Sequence, residues 1–150
     1  MEYSYYNPTA IQFGKGQIKS IVNFISKDQK VLVVYGGGSI KKNGVYAQVV
    51  TALDGYTWSE FGGVEANPSV ETLNKAVEII KGEKIDFILA VGGGSVIDGC
   101  KYLAVASLYD GDGWDFLEGK KVEKALSLGA ILTLPATGSE SNPTSVISKK

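Results

Sequence analysis

Two apolar stretches of the chain end in the same four residues, Gly-Gly-Gly-Ser. Val33–Tyr35 leads into Gly36–Ser39, and Leu89–Val91 leads into Gly92–Ser95. Consecutive glycines between a strand and a helix leave backbone N–H groups free, and no Cβ atom blocks the approach of a ligand. A helix N-terminus is also partly positive, so such a loop suits a phosphate group. The two loops together predict one ligand with widely spaced anionic or ribose groups.

Neither loop matches the commonest nucleotide-binding motifs. The pattern G-x-G-x-x-G needs a third glycine where this chain has Ile97, and no G-K-[ST] follows either loop. The interpretation therefore depends on the chemistry of the loops themselves. Backbone amides at Gly93 and Gly94, with the hydroxyl of Ser95, could hold a pyrophosphate. The alternative is a tight turn with no ligand.

The residues around the first loop bear on which nucleotide it would accept. In dinucleotide sites the second strand, which is the predicted strand before this loop, commonly ends with an acid that accepts hydrogen bonds from the adenosine ribose. Here Gly37 and Gly38 are followed by Ser39 and by Lys41 and Lys42. This charge balance tolerates a 2′-phosphate, which favours NADP over NAD. The alternative is that the two lysines are a solvated surface pair.

Two further polar residues each have a structural and a functional interpretation. Asn67 precedes Pro68 and could cap a helix or contact the adenosine half of a nucleotide. Asp98 lies close to the start of a predicted helix, where a carboxylate could compensate the helix dipole or accept from a ribose or nicotinamide group. Cys100 lies inside the same predicted helix and is expected to be a buried apolar residue.

A cluster of hydroxyl and amide side chains follows the last apolar run. Such a cluster could be an ordinary loop that satisfies its own hydrogen bonds. It could also clamp the nicotinamide ribose and the pyrophosphate. Its members are Thr133, Thr137, Ser139, Ser141 and Asn142, of which Thr133 and Thr137 are the preferred binding candidates.

The amino-acid composition limits the classes of protein to which the chain could belong. The 150 residues are 44% hydrophobic and 21% charged with a net charge of −1, which is typical of one globular soluble domain and indicates neither nucleic-acid binding nor a membrane span. No signal-peptide pattern is visible, and the single cysteine fits a reducing cytoplasm. With no histidine, the chain cannot supply an ordinary zinc site or a histidine proton relay. We expect the polypeptide to continue beyond residue 150.

Apolar runs alternate with helical periodicity along the chain. This alternation predicts an α/β fold, a Rossmann-like parallel sheet with helices on both faces and ligands at the carboxyl ends of its strands. Helices are expected between the strands, the fourth strand being followed by one near Ser95–Ser107 and then by a short helix around Trp114–Leu117. The predicted strands are Ile11–Phe13, Val31–Tyr35, Tyr56–Phe61, Phe87–Val91 and Gly129–Leu134.

Five motifs spread over nearly the whole chain resemble one family, the iron-containing (group III) alcohol dehydrogenases, and in particular its butanol dehydrogenase and aldehyde reductase branch. The motifs are Phe13–Gly16, Tyr35–Lys42, Phe61–Pro68, Ala90–Gly99 and Leu132–Asn142.

The resemblance implies an oxidoreductase that transfers hydride between a nicotinamide cofactor and a primary alcohol or aldehyde. It implies an NAD(P)-binding α/β domain over residues 1–150, with pyrophosphate at Gly93, Gly94 and Ser95 and with Asp98 near the nicotinamide half. It further implies an NADP-type loop at Gly38 and Ser39, and cofactor contacts at Thr133, Thr137 and Asn142. The family's second, all-helical domain binds iron or zinc, and family members are often homodimers.

One feature departs from the family. Its metal ligands, an aspartate and three histidines, belong to the helical domain, and none of those positions is present in residues 1–150. We therefore expect no catalytic residue in this segment, which alone should bind cofactor without turnover. Two alternatives stay open: a lyase domain similar to dehydroquinate synthase, which uses NAD and a metal, and a non-catalytic nucleotide-binding module.

Overall fold

The centre of the protein is a parallel sheet of four strands. In the computed structural model, which describes residues 1–150, β1 (Lys30–Tyr35) and β3 (Phe87–Gly92) are neighbours, flanked by β2 (Thr57–Phe61) and β4 (Ser127–Leu132). The strand order is β2-β1-β3-β4, and every pairing is parallel. Continuous apolar runs such as those of β1 and β3 are typical of strands covered on both faces, and both strands are almost wholly buried.

Helices cover both faces of the sheet, which confirms the predicted α/β class. The α-helices are α1 (Ser39–Lys42), α2 (Val45–Ala52), α3 (Val70–Glu83) and α4 (Gly94–Ala106), and the 3₁₀ helices are Gln17–Asn23, Gly113–Phe116 and Ser139–Ser141. Leu32 and Val34 of β1 pack towards α3 and α4, whereas Val31 and Val33 pack towards α1, α2 and the first 3₁₀ helix. The alternation follows from the two-residue repeat of a strand.

The predicted first strand is wrong. Residues 1–13 contain no helix or strand, and Ile11 and Phe13 are exposed, Phe13 to 96%. The segment has the apolar alternation of a strand but no neighbouring strand with which to form hydrogen bonds, and a strand needs such a partner. The sheet therefore has four strands instead of five. The strand before the first glycine loop is thus the first strand along the chain and not the second.

The start of α3 differs from the prediction. Its N-cap is Ser69, whose fully buried hydroxyl accepts a hydrogen bond from Thr72 N at 3.4 Å. Asn67 lies two residues earlier with a left-handed φ of 54°, a conformation that asparagine tolerates, so the interpretation of Asn67 as the cap is wrong. The helix also continues through Gly82 to Glu83 before Lys84 ends it.

The last strand begins and ends earlier than the apolar pattern indicates. β4 covers Ser127–Leu132, whereas the prediction was Gly129–Leu134. Thr133 N still donates to Gly92 O at 3.0 Å, but the chain then leaves the sheet and Leu134 is exposed. An edge strand has one partner only, so its apolar pattern is a weaker guide to its ends.

Two smaller predictions are confirmed. Cys100 is fully buried on α4, and burial raises the pKa of its thiol. The short helix predicted around Trp114–Leu117 is present as the 3₁₀ helix Gly113–Phe116.

Leu73 tests the packing of α3 against α4. It is fully buried, and a Cβ atom at Gly99 of α4 would lie 3.0 Å from its Cδ2. Leu73→Ala should lower the free energy of unfolding by about 2–5 kcal/mol because it leaves a cavity between the helices. In urea denaturation the matched variant Leu134→Ala, at a side chain 67% exposed, should unfold like the wild type. Equal midpoints for the two variants would contradict this packing.

Candidate functional site

The two glycine loops lie side by side at the carboxyl edge of the sheet. β1 and β3 are paired up to Tyr35 and Val91, Gly36 follows β1 directly, and Gly92 is the last residue of β3. The strand order reverses between these two strands, since β2 lies outside β1 and β4 lies outside β3. Parallel α/β proteins bind ligands in the crevice at such a reversal. The loops are therefore adjacent in space, although Gly92 comes 56 residues after Gly36 in the sequence.

The folded chain itself requires glycine at four of the six loop positions, three because of packing and one because of its backbone conformation. A Cβ atom would lie 2.7 Å from Val96 Cγ2 at Gly92, 2.9 Å from Thr137 Oγ1 at Gly94, and 3.2 Å from a backbone oxygen at Gly36. Gly38 has a φ of 93°, which L residues rarely adopt.

The remaining two glycines, Gly37 and Gly93, have no such requirement. A Cβ atom at Gly37 would meet nothing within 4 Å, and one at Gly93 would make only ordinary contacts with Leu134, from 3.7 Å. Neither residue has a positive φ. The folded chain would thus accept alanine at both positions, one in each loop. Glycine there instead leaves open backbone that a ligand could approach.

The N-terminus of α4 is suited to an anion. The helix begins at Gly94, no side chain caps it, and its first turn contains no acidic residue. Its first amides have no partner within the helix, and the helix dipole adds a partial positive charge. Ser95 lies half-buried in this first turn. Gly93, Gly94 and Ser95 thus lie together, as the sequence predicts.

Asp98 lies one turn further along α4 and is occupied by protein partners. Its Oδ1 accepts from Ser139 Oγ at 2.5 Å, and its Oδ2 accepts from Val146 N at 3.1 Å. The Asp98 side chain is 17% exposed. Since α4 begins at Gly94, Asp98 is outside the first turn, which leaves the dipole interpretation without support. In this structure the carboxylate anchors the segment 139–146.

Asn142 has a similar structural task. Its Oδ1 accepts from Lys101 Nζ at 3.0 Å and from Thr144 N at 3.1 Å, while its Nδ2 donates to Gly138 O at 3.0 Å. The amide therefore holds the turn that follows Gly138. Thr133 and Thr137 differ from it, because both are exposed next to the glycine loop of β3.

The loop after β1 carries Ser39 at its exposed surface, beside a cluster of charged and aromatic residues. Glu60, near the end of β2, accepts from the hydroxyls of Tyr35 at 3.0 Å and of Tyr46, and Lys41 Nζ lies 3.5 Å from its Oε1. The hydrogen bond from Tyr46, with smaller contributions from Tyr35 and Lys41, lowers the pKa of Glu60. The same contact raises the pKa of Tyr46.

Asn67 lies apart from this cluster, exposed on the connection between β2 and α3. Its backbone oxygen accepts from Ser148 Oγ at 3.3 Å, and its side chain makes no hydrogen bond. The structure therefore leaves its amide available, unlike that of Asn142.

Sequence reasoning missed two charged residues at this edge. Glu60 could have been found because an acid near the end of the strand after a glycine loop is the usual ribose partner. Lys101 could have been found from its spacing of three residues after Asp98, which places both on one face of a helix.

The chain holds no group of three or more His, Cys, Asp or Glu residues that could bind a metal ion. The ligands that iron or zinc would need do not come together in residues 1–150. No helix has the length and apolar character to cross a membrane.

A parallel α/β sheet with two glycine loops where the strand order reverses is typical of dinucleotide-binding domains. Comparison with known proteins narrows this class. The family profile described as iron-containing alcohol dehydrogenase matches residues 8–150. The chain therefore belongs to the iron-containing alcohol dehydrogenase family.

Curated relatives and solved structures agree with this assignment. The chain is 50% identical over 99% of its length to the NADPH-dependent aldehyde reductase YqhD of Escherichia coli (strain K12), and 51% identical over 97% to the probable NADH-dependent butanol dehydrogenase 1 of Bacillus subtilis (strain 168). It covers 39% and 38% of these proteins. The crystal structure of E. coli YqhD has a TM-score of 0.95, at 49% identity, over 99% of this chain and 39% of that one. The chain thus spans about two fifths of its relatives' length.

The lowered pKa of Glu60 predicts how a Glu60→Gln variant responds to pH. A carboxyl group whose pKa is lowered by folding stabilises the folded state at pH values above its ordinary pKa of 4.5. This stabilisation is lost as the pH falls through the lower pKa of the folded state. In thermal unfolding the wild type should therefore exceed the variant in Tm at neutral pH, and the gap should close in acid.

The control for this measurement is Glu123→Gln, at an exposed residue outside the helices and strands. It should follow the wild type at every pH. A gap between the wild type and Glu60→Gln that stayed constant from neutral to acid pH would contradict the ionised cluster.

Proposed function

We propose that this chain holds the nicotinamide cofactor of an alcohol dehydrogenase or aldehyde reductase. The observation that carries the proposal is the adjacency of Gly37 and Gly93, two glycines that packing does not require, at the point where the strand order reverses. Membership of the family, whose relatives are named as NADPH- or NADH-dependent enzymes, supports the same cofactor class.

Each part of the edge has a proposed role. The pyrophosphate lies against Gly93, Gly94 and Ser95, where backbone amides and the dipole of α4 favour negative charge. The adenosine half lies towards the loop after β1, and the nicotinamide half towards the segment after β4. The residues proposed for the adenosine half are Gly37, Gly38, Ser39 and Asn67, and those for the nicotinamide half are Thr133 and Thr137, with Asp98 and Asn142 as supports of that segment.

The bound cofactor would supply the hydride that passes between the nicotinamide and the carbon of a primary alcohol or aldehyde. The chain's own residues bind and orient it, and orientation alone makes a large contribution to such a reaction. A divalent metal, iron or zinc, does not fit residues 1–150, because no ligand group is present. We place the metal in a helical domain of the intact enzyme, so the 150 residues alone would bind cofactor without turnover.

We propose NADP as the preferred cofactor. The resemblance assigns Gly38 and Ser39 to the NADP-type form of this loop, Ser39 is uncharged, and Lys41 supplies positive charge nearby. Glu60 lies near the end of the next strand, where an NAD site has its ribose-binding carboxylate, but the two tyrosine hydroxyls and Lys41 occupy its oxygens. The relatives include both NADPH- and NADH-dependent enzymes, so this preference stands on the residues of the chain.

The type of enzyme, its assembly and its location were also predicted from the sequence. The comparisons favour the alcohol dehydrogenase over the lyase alternative, since the matching profile and relatives are dehydrogenases and reductases. Assembly as a homodimer and a cytoplasmic location stay predictions from the resemblance and the composition.

Gly37→Ala tests the proposed cofactor site. The fold has room for this methyl group, so the free energy of unfolding should stay within about 0.5 kcal/mol of the wild type. The methyl group should obstruct the nucleotide and weaken its binding about tenfold or more, measured by calorimetric titration with NADPH.

Gly82→Ala is the matched control. This glycine lies inside α3, away from the loops, and a Cβ atom there would also meet nothing within 4 Å. The control should gain about 0.5–1 kcal/mol of stability through helix propensity and bind NADPH as the wild type does. Unchanged NADPH affinity in Gly37→Ala would overturn the proposed site.

Ser39→Asp tests the cofactor preference. A carboxylate at this position should repel the 2′-phosphate by about 1 kcal/mol, so the ratio of NADP to NAD affinity should fall about fivefold or more. The control is Ser39→Asn, because asparagine has nearly the same shape as aspartate but no charge, and it should keep the wild-type ratio. Titrations with NADP, NAD and ATP give the affinities, and a ratio of NADP to NAD affinity that stayed unchanged in Ser39→Asp would refute this account of the loop.

A further inference from the structure

Lys101 lies at the centre of the contacts that join α4 to the segment after β4. Its ammonium group donates to Ser139 Oγ at 2.8 Å, to Asn142 Oδ1 at 3.0 Å and to Thr144 O at 2.6 Å. It also lies 3.8 Å from Asp98 Oδ1. The Lys101 side chain is only 16% exposed, so the flexible lysine chain is fixed in one place.

From these contacts we infer that Lys101 is a positioning residue, which holds the segment 137–144 against α4 and so sets the place of the nicotinamide half of the cofactor. The inference rests on the proposed function. Lys101 itself would touch no cofactor, because its three donors are used on the segment.

The charges around Lys101 indicate that a neutral side chain at this position would not hold the segment equally well. Asp98 and Glu140 both interact favourably with the ammonium group, whereas burial disfavours its charge and lowers the pKa of Lys101. Glu140 Oε2 is buried without a hydrogen-bond partner. Without the lysine, both carboxylates would lose the cation with which they interact, and the segment would tend to leave α4.

The segment reaches the proposed site through Thr137. A Cβ atom at Gly94 would lie 2.9 Å from Thr137 Oγ1, so this threonine lies directly over the start of α4. A shift of the segment would move Thr137, while the loop with Gly37 and Ser39, on the other side of β3, would keep its place. Loss of Lys101 should therefore affect the two halves of the cofactor unequally.

Lys101→Met tests this asymmetry with two ligands, NADPH and ADP. ADP carries the adenosine and pyrophosphate but no nicotinamide. In calorimetric titrations the variant should bind NADPH about tenfold more weakly, with ADP affinity within about twofold of the wild type. The fluorescence of the reduced nicotinamide, which responds to the immobilisation of that ring, should lose its change on binding.

Three further variants keep the test decisive. Lys75→Met removes the same charge from an exposed position on α3 and should bind both ligands as the wild type does. Lys101→Arg keeps a cation and should restore part of the NADPH affinity. Ser139→Ala removes one hydroxyl bridge between Lys101 and Asp98, and should show the same asymmetry to a smaller extent if Lys101→Met does not fold.

The outcomes separate the inference from the proposal beneath it. Equal weakening of NADPH and ADP in Lys101→Met, or wild-type affinity for both, would overturn the positioning role. If Lys101→Met does not fold, wild-type NADPH affinity in Ser139→Ala would overturn it. A wild-type chain that binds neither nucleotide would overturn the proposed function itself.

Discussion

The parallel pairing of β1 with β3 is the constraint on which the rest of the structure depends. It brings together two strands that are distant in the sequence, and their registers place Gly36 beside Gly92. Because the chain places β2 on one side and β4 on the other, the helices after β1 and β3 leave a crevice between the two loops. Each loop alone would be an ordinary strand-to-helix connection. Their adjacency produces a continuous stretch of open backbone that could follow a dinucleotide.

Charged residues at this edge divide into two groups with different tasks. Around Glu60, two tyrosine hydroxyls and Lys41 satisfy a carboxylate at the adenosine end of the proposed site. Around Lys101, a largely buried ammonium group satisfies acceptors on α4 and on the segment after β4. In both clusters, side chains that could bind a ligand, such as Glu60 and Asn142, form hydrogen bonds with other residues of the chain. What they leave available is mainly backbone and hydroxyl groups, which suits binding and orientation more than acid–base chemistry.

Two predictions failed because they rest on local patterns, whereas the outcome depended on contacts that form only in the folded chain. The apolar alternation at Ile11 and Phe13 is that of a strand, but a strand forms only beside a partner, and none is present. Asn67 and Ser69 are both good caps, and the choice between them depended on which side chain became buried, since Ser69 Oγ contacts Glu65 and Thr72 whereas Asn67 is exposed. The assignment of Asp98 and Asn142 to the cofactor site stays a prediction, and in the folded chain their side chains bond to Ser139 and Lys101.

The sequence by itself determined the class of fold, the two central strands, the glycine loops and the family, since continuous apolar runs, helical periodicity and short motifs are local properties of the chain. Tertiary structure alone decided which strands became neighbours, which glycines packing requires, and which polar side chains stay free. These depend on residues that meet only after folding, such as Lys101 with Thr144 or Tyr46 with Glu60. No pattern within a strand or helix encodes those distances, because they follow from the spatial order of the strands in the sheet and from the packing of the helices on it.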